Sequence, residues 1–504
     1  MTESADLIVI PKTTELVHIA PVIILVVTIG LVLVASLVSK GKGFTAIISW
    51  IVALGLAASM VAAIHQFPAA RVAAKSAGNP GLRAADLLSG SIIFDQLFLF
   101  MIVFLCALFF GIFVLAGSLW QKGAWEWPIY WCLLLGSLIG MILLAATRHL
   151  IFFAIAFELS SLPSYVLVGF RKFNPKAAEG SAKYAIFGAV CSAVMIYGIS
   201  LLYGLTGSFD LQTVAMRLVG HGIQAIEIMA LVFILVGLGF KISLVPMHFW
   251  SPDALEAAGA DIAAWLSIGS KSAAIVALAR WMQMMALSTG DDFSRKMVLA
   301  LSAVAVLTMT VANLSACWQT SAKRLLAYSS IAHAGYIACG AAILPGTEGL
   351  AAIVVYIVVY LFMNLGAFAA IGVIEQQSGS DQIQNFAGLG RKNPVLAACV
   401  MFFLFSLVGL PPLAGFAAKW ILISALWRNH LEFLVAAVLV NTLLSMFYYM
   451  RMARAMYFEP SELPAFDTSR PISGLLAVSA GGLLIIFLCW GLLNSFAGRL
   501  QIAF

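Results

Sequence analysis

Six ionisable side chains interrupt apolar sequence where a membrane gives them no reason to be. Glu158 stands in LIFFAIAFELSSLPSYVLVGF, Lys241 in LVGLGFKISLVPMHFW, Lys271 in WLSIGSKSAAIVALARW and Lys419 in LFSLVGLPPLAGFAAKW. His248 follows in VPMHFW, and His333 lies in SSIAHAGY. Holding a lysine at the bilayer centre costs about 2.5–3.5 kcal/mol on insertion scales, so each needs a partner, a cavity or a route to the interface. Desolvation loosens a lysine's hold on its proton and a carboxylate within ~4–6 Å restores it. Opposite charges 4 Å apart attract by about 4 kcal/mol at an effective dielectric of ~20, so moving such a carboxylate switches whether the proton is kept. Three internal lysines with a glutamate could therefore form a lateral proton relay. The bland alternative is a static buried pair between Glu158 and one lysine. Histidine titrates near neutrality and could carry protons in the same chain. Neither histidine has a second ligand at i+3 or i+4, which argues against a metal site.

Elements long enough to hold these residues in lipid need about 20 apolar residues each. Fourteen windows qualify, near 19–38, 44–65, 93–116, 129–147, 149–170, 183–205, 223–246, 262–286, 297–317, 325–345, 350–374, 395–427, 431–457 and 472–497. Their apolar runs are continuous instead of alternating over ~10 residues, so the fold class is an all-α integral membrane protein and not a β-barrel. The longest connection, 66–92, is too short to hide a soluble domain. Spans seven and twelve should break, at Pro246 and at Pro411 and Pro412, each near a lysine. Proline removes a helical hydrogen bond, and the freed carbonyls must be satisfied by protein or water at that depth. Broken helices in corresponding places of two halves point to an ion pathway at mid-membrane. Arg280 lies nearer a span end and can snorkel, while Asp95, Glu227 and Glu432 read as interface anchors.

Basic residues cluster on one side of the expected bundle: Lys40 and Lys42, then Arg171, Lys172 and Lys176, then Lys323 and Arg324, then Arg391 and Lys392. By the positive-inside rule that side is cytoplasmic and both termini lie outside, periplasmic in a bacterium. The first 18 residues, with Glu3, Asp6 and Glu15, show no basic region and no cleavage site, so the first span is expected to be retained.

Composition excludes several other classes. Of 504 residues 62% are hydrophobic and 10% charged, far below the ~25% charged share of soluble domains. The net charge of +6 comes from dispersed Lys and Arg with no basic run, which excludes nucleic-acid binding. Seven cysteines form no CxxC pair, and there is neither a P-loop nor a GxGxxG fingerprint, so iron–sulfur, zinc and nucleotide sites are not expected in this chain.

Several of these segments also resemble a known family. FELSSLPSYVLVGF, KYAIFGAVCSAVMIYGISLLYGLTGS, GFKISLVPMHFWSPDALEA, LLAYSSIAHAGYIACG, YLFMNLGAFAAI, GLPPLAGFAAKW and NTLLSMFYYMRMARAMY are similar to the antiporter-like subunits of proton-pumping NADH:quinone oxidoreductase, respiratory complex I, and to its subunit N in particular. The likeness runs from about Phe152 to Tyr457. It implies fourteen helices with two inverted five-helix repeats: an N-terminal segment 1–128, repeats at 129–286 and 297–457, and a C-terminal helix in 458–504. It assigns the relay to Glu158, Lys241, Lys271, His333 and Lys419, and adds Lys183 before YAIFG, which could equally face the cytoplasmic surface.

The same resemblance implies a non-redox subunit, with NAD, FMN, iron–sulfur clusters and quinone held by partner membrane and peripheral subunits. A lysine at 419 and a chain ending soon after span fourteen resemble subunit N more than its paralogues. One departure stands out: after SPDALEA the family's proline-containing GAPxPV is replaced by AGADIAAW, which puts in doubt the path between spans seven and eight and the geometry feeding Lys271. Rival functions are an Mrp-type Na+/H+ antiporter subunit and a structural membrane scaffold.

Overall fold

Proline inside a membrane helix leaves the carbonyl one turn earlier without its donor. The computed structural model, which describes residues 13–38, 44–76, 86–88, 90–120, 126–171, 173–219, 224–288, 291–343, 347–460 and 466–500, meets that demand at its first helix. Pro21 lies within α1 (Thr13–Val38), and Gln66 Nε2 of α2 (Phe44–Ser76) donates to the freed Val17 carbonyl at 2.8 Å. Ser59 Oγ of α2 donates to the Pro21 carbonyl at 2.9 Å. Of the residues used above for sidedness and the N-terminus, Lys40, Lys42, Lys172, Glu3 and Asp6 lie outside the described residues.

Within the 66–92 connection, α2 continues through Ser76 and a two-residue hairpin, β1 (Asp86–Leu87) antiparallel to β2 (Ile92–Ile93), leads into α3 (Gln96–Leu119). Next come α4 (Trp127–Ala146) and α5 (Leu150–Val168), which approach so closely that a Cβ on Gly140 would lie 2.3 Å from the Ser160 amide nitrogen. Asn174 caps α6 (Pro175–Thr206), with Pro175 where the missing N–H costs nothing. A short amphipathic α7 (Leu211–Val219) precedes α8 (Ala225–Ile242).

The seventh apolar window stops at Ile242, because Ser243 turns left-handed (φ +69°) and Pro246 lies in the irregular stretch before α9 (Trp250–Ala257). The eighth window is interrupted as well. Between α10 (Ala260–Trp265) and α11 (Lys271–Ser288) runs one π-helical turn, Leu266–Ser270. No proline announces it.

The remainder is α12 (Asp291–Ala316), α13 (Ala322–Ala341), α14 (Thr347–Ser378), α15 (Leu389–Lys392), α16 (Pro394–Val408), α17 (Ala414–Arg428), α18 (Glu432–Phe458), α19 (Arg470–Leu488) and α20 (Trp490–Ala497). The twelfth window is thus two half-helices parted at Gly409 (φ +87°) and the Pro411–Pro412 pair, and the fourteenth splits at Cys489. Among the described residues twelve helices are long and apolar enough to cross a membrane. The other two windows fall on α13, whose Lys, Arg, Ser and His residues dilute its hydropathy, and on the short pair α16 and α17.

Burial grades the bundle from centre to rim. The apolar window of α10–α11 is wholly inside the protein and that of α14 is 89% buried, against 28% for α1 and for α2 and 22% for α19. The rim therefore offers its Leu, Val and Ile side chains to lipid, and the most enclosed helices are those beside Lys271. Arg171, Lys323 and Arg324 share one end of the bundle, tied together through Glu375, Asp253 and Glu256. Thr147, His149 and Asp210 mark the other end.

Candidate functional site

Lys241 occupies the last turn of α8, fully buried, and its Nζ donates to Ser161 Oγ of α5 at 2.7 Å. Glu158 lies one helical turn from Ser161 on the same α5, half-buried, and accepts a hydrogen bond from Ser192 of α6. Glu158 and Lys241 make no direct ion pair among the described residues; the lysine meets α5 at Ser161, one turn from the glutamate. The Lys241 ammonium also stands 5.3 Å from the centre of the Phe157 ring. The carbonyls released where α8 ends are not held by this lysine: the Trp250 indole donates to Phe240 at 2.9 Å and the Leu244 amide to Gly239 at 2.7 Å.

Lys271 opens α11 directly after the π-turn, a deviation often found at functional positions because it re-aims the following side chains. Its Nζ donates to Ser330 Oγ of α13 at 2.5 Å. Three residues along α13, His333 Nδ1 meets the Tyr356 hydroxyl of α14 at 3.0 Å. Asn364 Nδ2 joins the π-turn to α14 by donating to Ser267 Oγ at 2.6 Å and to the Tyr360 hydroxyl at 3.0 Å.

Lys419 lies on the second half-helix of the α16–α17 break and reaches back across it. Its Nζ donates to the Val408 carbonyl at 2.8 Å, with Leu407 O at 3.4 Å and Thr442 Oγ1 of α18 at 3.3 Å. The same ammonium is 4.8 Å from the Tyr336 ring centre, and that ring is 5.6 Å from His333. Gly409 is required twice over, for its left-handed turn and because a Cβ there would be 2.9 Å from Lys419 Cδ. Through Tyr336 this end joins a second buried network, in which Asn313 donates to Tyr336 (3.1 Å) and to Asn441 Oδ1 (3.1 Å) and accepts from Tyr448 (3.0 Å).

Lys271, His333 and Lys419 thus converge on α13, and Lys241 meets α5 one turn from Glu158. Two further candidates stand apart. Lys183 is partly exposed at the basic end, paired with Asp253 at 2.8 Å and Glu179 at 2.7 Å. His248 is buried in the stretch after Pro246 with Nδ1 unpartnered among the described residues.

Some sequence expectations need correction. Arg280 does not snorkel: it is fully buried, donates to both oxygens of Asp95 at 2.6 and 2.8 Å, and donates through Nε to the Ala145 carbonyl at 2.7 Å. Asp95, expected as an interface anchor, is equally buried and also caps α3. Distance along a span misled here, because the N-cap of α3 and the last turn of α4 close over that part of α11. Glu227 is likewise buried, holding the Gln224 amide in a capping box. Glu432 remains exposed, near His430.

The hydroxyl and amide partners Ser161, Ser330, Tyr356, Asn364 and Asn313 were not singled out from sequence. Asn364 in YLFMNLGAF and Asn313 in TVANLSA carried the available signal, an amide inside an apolar run. The serines and tyrosines carried none, since both are common in packed membrane helices.

With this geometry in view, residues 147–445 match the family described as NADH:quinone oxidoreductase/Mrp antiporter, transmembrane. The chain is 40% identical over 373 residues to NADH-quinone oxidoreductase subunit N 2 of Sorangium cellulosum, covering 72% of this chain and 74% of that one. It is 33% identical over 487 residues to F(420)H(2) dehydrogenase subunit N of Methanosarcina mazei, covering 94% and 95%. A chain of respiratory complex I from Thermus thermophilus superposes with a TM-score of 0.78 at 28% identity, covering 95% of this chain and all of that one.

Proposed function

The chain belongs to the NADH:quinone oxidoreductase/Mrp antiporter family of multi-pass membrane subunits, and from that premise we propose that it moves protons along a buried line from Glu158 through Lys241, Lys271 and His333 to Lys419. One observation carries the reading. All three lysines are buried, and each donates to neutral oxygen, Ser161 for Lys241, Ser330 for Lys271, and Val408 with Thr442 for Lys419. An ammonium clamped to a carboxylate is locked in its charged form, whereas one held by hydroxyls and carbonyls can change charge without stranding a partner. Glu158, one turn from Ser161 on α5 and held by Ser192, is the movable bias on Lys241.

Driving force comes from elsewhere in the assembly. NAD, FMN, iron–sulfur clusters and quinone reside in partner subunits, and the donor can differ between relatives. The residues 129–286 and 297–457 act as two inverted halves, with the broken helices α8 and α16–α17 in corresponding places. The basic end faces the cytoplasm of a bacterial inner membrane, and both termini face the periplasm. Lys183 belongs to the cytoplasmic rim of the pathway, and His248 lies after the α8 break.

The test uses the assembled complex in native membrane vesicles, following quinone reduction and dye-reported proton uptake together. Lys241→Ala should depress both, because a coupled machine cannot complete one without the other. Full turnover with undiminished uptake in that variant would overturn the relay. Uptake that requires Na+ would instead support the antiporter reading.

A further inference from the structure

The segment AGADIAAW places a carboxylate in the interior at the basic end. Asp261 in the first turn of α10 is fully buried. One oxygen, Oδ2, accepts from the Tyr130 hydroxyl at 2.6 Å and from the Trp120 indole at 3.0 Å. The other, Oδ1, has no hydrogen-bond partner among the described residues. It points to the bare Cα of Gly259, where an added Cβ would lie 2.4 Å from Oδ1 and 3.1 Å from Arg171 Nη2. A buried carboxylate oxygen left open beside a residue with no side chain is a built polar niche, because such a group is otherwise paired.

The niche connects outward by graded exposure. Arg171, 38% exposed, lies 3.8 Å from Glu375, which is 20% exposed. Glu375 in turn pairs at 2.8 Å with Lys323, only 4% exposed. Lys323 Nζ also donates to the Ala258 carbonyl at 3.0 Å, next to the niche. Two cations and two carboxylates balance, so this mouth is no electrostatic plug. Beside it, Asp253 and Glu256 of α9, Arg324 of α13 and Lys183 and Glu179 of α6 pair among themselves. Inward, Ser267 lies six residues along the same discontinuous helix, about 9 Å at 1.5 Å per residue. Its partner Asn364 leaves its own Oδ1 unpartnered among the described residues. From there Tyr360 leads to α13, which carries Ser330 and His333.

We propose that Asp261 is the proton-uptake carboxylate of this subunit, receiving protons at Oδ1 from the Arg171–Glu375–Lys323 cluster and passing them toward Asn364 and Lys271. The inference rests on the relay reading above and adds its supply. A proton taken up at Oδ1 neutralises the carboxylate while Oδ2 keeps Tyr130 and Trp120, so the site can load and unload without repacking. It passes on through water, which bridges gaps of this length.

Rates say when such a site matters. With a diffusional ceiling of about 10¹⁰ M⁻¹s⁻¹, hydronium arrives about 10⁴ times per second near pH 6 but only about 10 times per second near pH 9. The latter is no faster than an ordinary enzyme turnover of ~10 s⁻¹. Asp261→Asn, near-isosteric and able to keep Tyr130 and Trp120, is therefore expected to work almost normally near pH 6 and to lose at least about twofold of turnover and proton uptake near pH 9. Asp261→Glu should restore part of the alkaline activity. Assembly, read from the complex's abundance in native gels, should be unchanged. A wild-type pH profile in Asp261→Asn, or a loss equal at every pH or matched by lost assembly, overturns the proposal. If Lys241→Ala abolishes pumping while Asp261→Asn leaves the profile unchanged, the uptake assignment fails and the relay stands; if both are silent, the relay itself has failed.

Discussion

Lys419 Nζ stands 2.8 Å from the Val408 carbonyl, so the lysine that follows the second break caps the helix that precedes it. The first break is closed differently, since there the Trp250 indole takes the Phe240 carbonyl and leaves Lys241 free to face Ser161. Sequence suggested equivalent roles for the two lysines, each a few residues from proline. In space one lies before its break and is held by a side chain, while the other lies after it and is held mainly by backbone.

That difference makes Lys419 the position where capping and proton transfer must be separated. Lys419→Met removes the donor and leaves buried carbonyls unsatisfied, at a cost of about 1–3 kcal/mol. Lys419→Arg keeps donors but carries a permanent charge. Both variants should lose coupled quinone reduction and proton uptake, while Lys419→Arg should withstand heating of the assembled complex better than Lys419→Met. Normal pumping by Lys419→Arg would remove Lys419 from the relay and leave it a helix cap.

At the other end of the line, Ser161→Ala deletes the oxygen that receives Lys241 while leaving Glu158 and Ser192 in place. A lone hydrogen bond to a charged group contributes about 1.5–3 kcal/mol, so turnover should fall by at least about tenfold if the lysine must be held there. Ser192→Ala frees the Glu158 carboxylate to swing toward Lys241, and should slow pumping by favouring the paired state. Steady-state quinone reduction with parallel uptake measurements reads both. Equal, wild-type behaviour of the two serine variants would show that neither hydroxyl tunes the pair.

The spans, the breaks and the buried charges were legible because each violates what lipid allows: length, proline and ionisation leave marks in one dimension. Asp95 and Arg280 were misjudged because their burial depends on the start of α3 and the end of α4 meeting α11, a packing relation that no spacing within any one segment encodes. The π-turn before Lys271 was invisible for a similar reason. Its sequence, LSIGS, holds no breaker beyond one glycine, and the widened turn is fixed by what packs around it. The hydroxyl partners of the lysines could not be chosen from sequence among the many serines and tyrosines of this chain.

The Arg280–Asp95 pair should prove to be a brace. Removing one partner of a buried pair typically costs about 3–5 kcal/mol, whereas replacing both can be nearly neutral. Arg280→Met alone should reduce the amount of assembled complex sharply. Combining it with Asp95→Asn, which can still cap α3, should recover much of that amount. Pumping per assembled complex should be close to normal in the double variant. If abundance recovers but pumping does not, the pair takes part in transfer and is more than a brace.

His333 offers the most direct separation of packing from proton carriage. Its Nδ1 meets the Tyr356 hydroxyl at 3.0 Å, and aromatic rings of Tyr336 and Tyr360 lie 5.6 and 5.2 Å from its own. Tyr356→Phe preserves the ring and deletes only the hydroxyl, so the loss of one neutral hydrogen bond of about 0.5–1.5 kcal/mol should slow coupled turnover roughly twofold to tenfold. His333→Gln keeps a polar group of similar reach but cannot titrate, and should lose more activity than Tyr356→Phe if the imidazole carries the proton between Lys271 and Lys419. Quinone reduction and proton uptake should fall together in both, with assembly unchanged. Should His333→Gln match the wild type, the imidazole is a packing residue and protons pass from Ser330 to Tyr336 by another route.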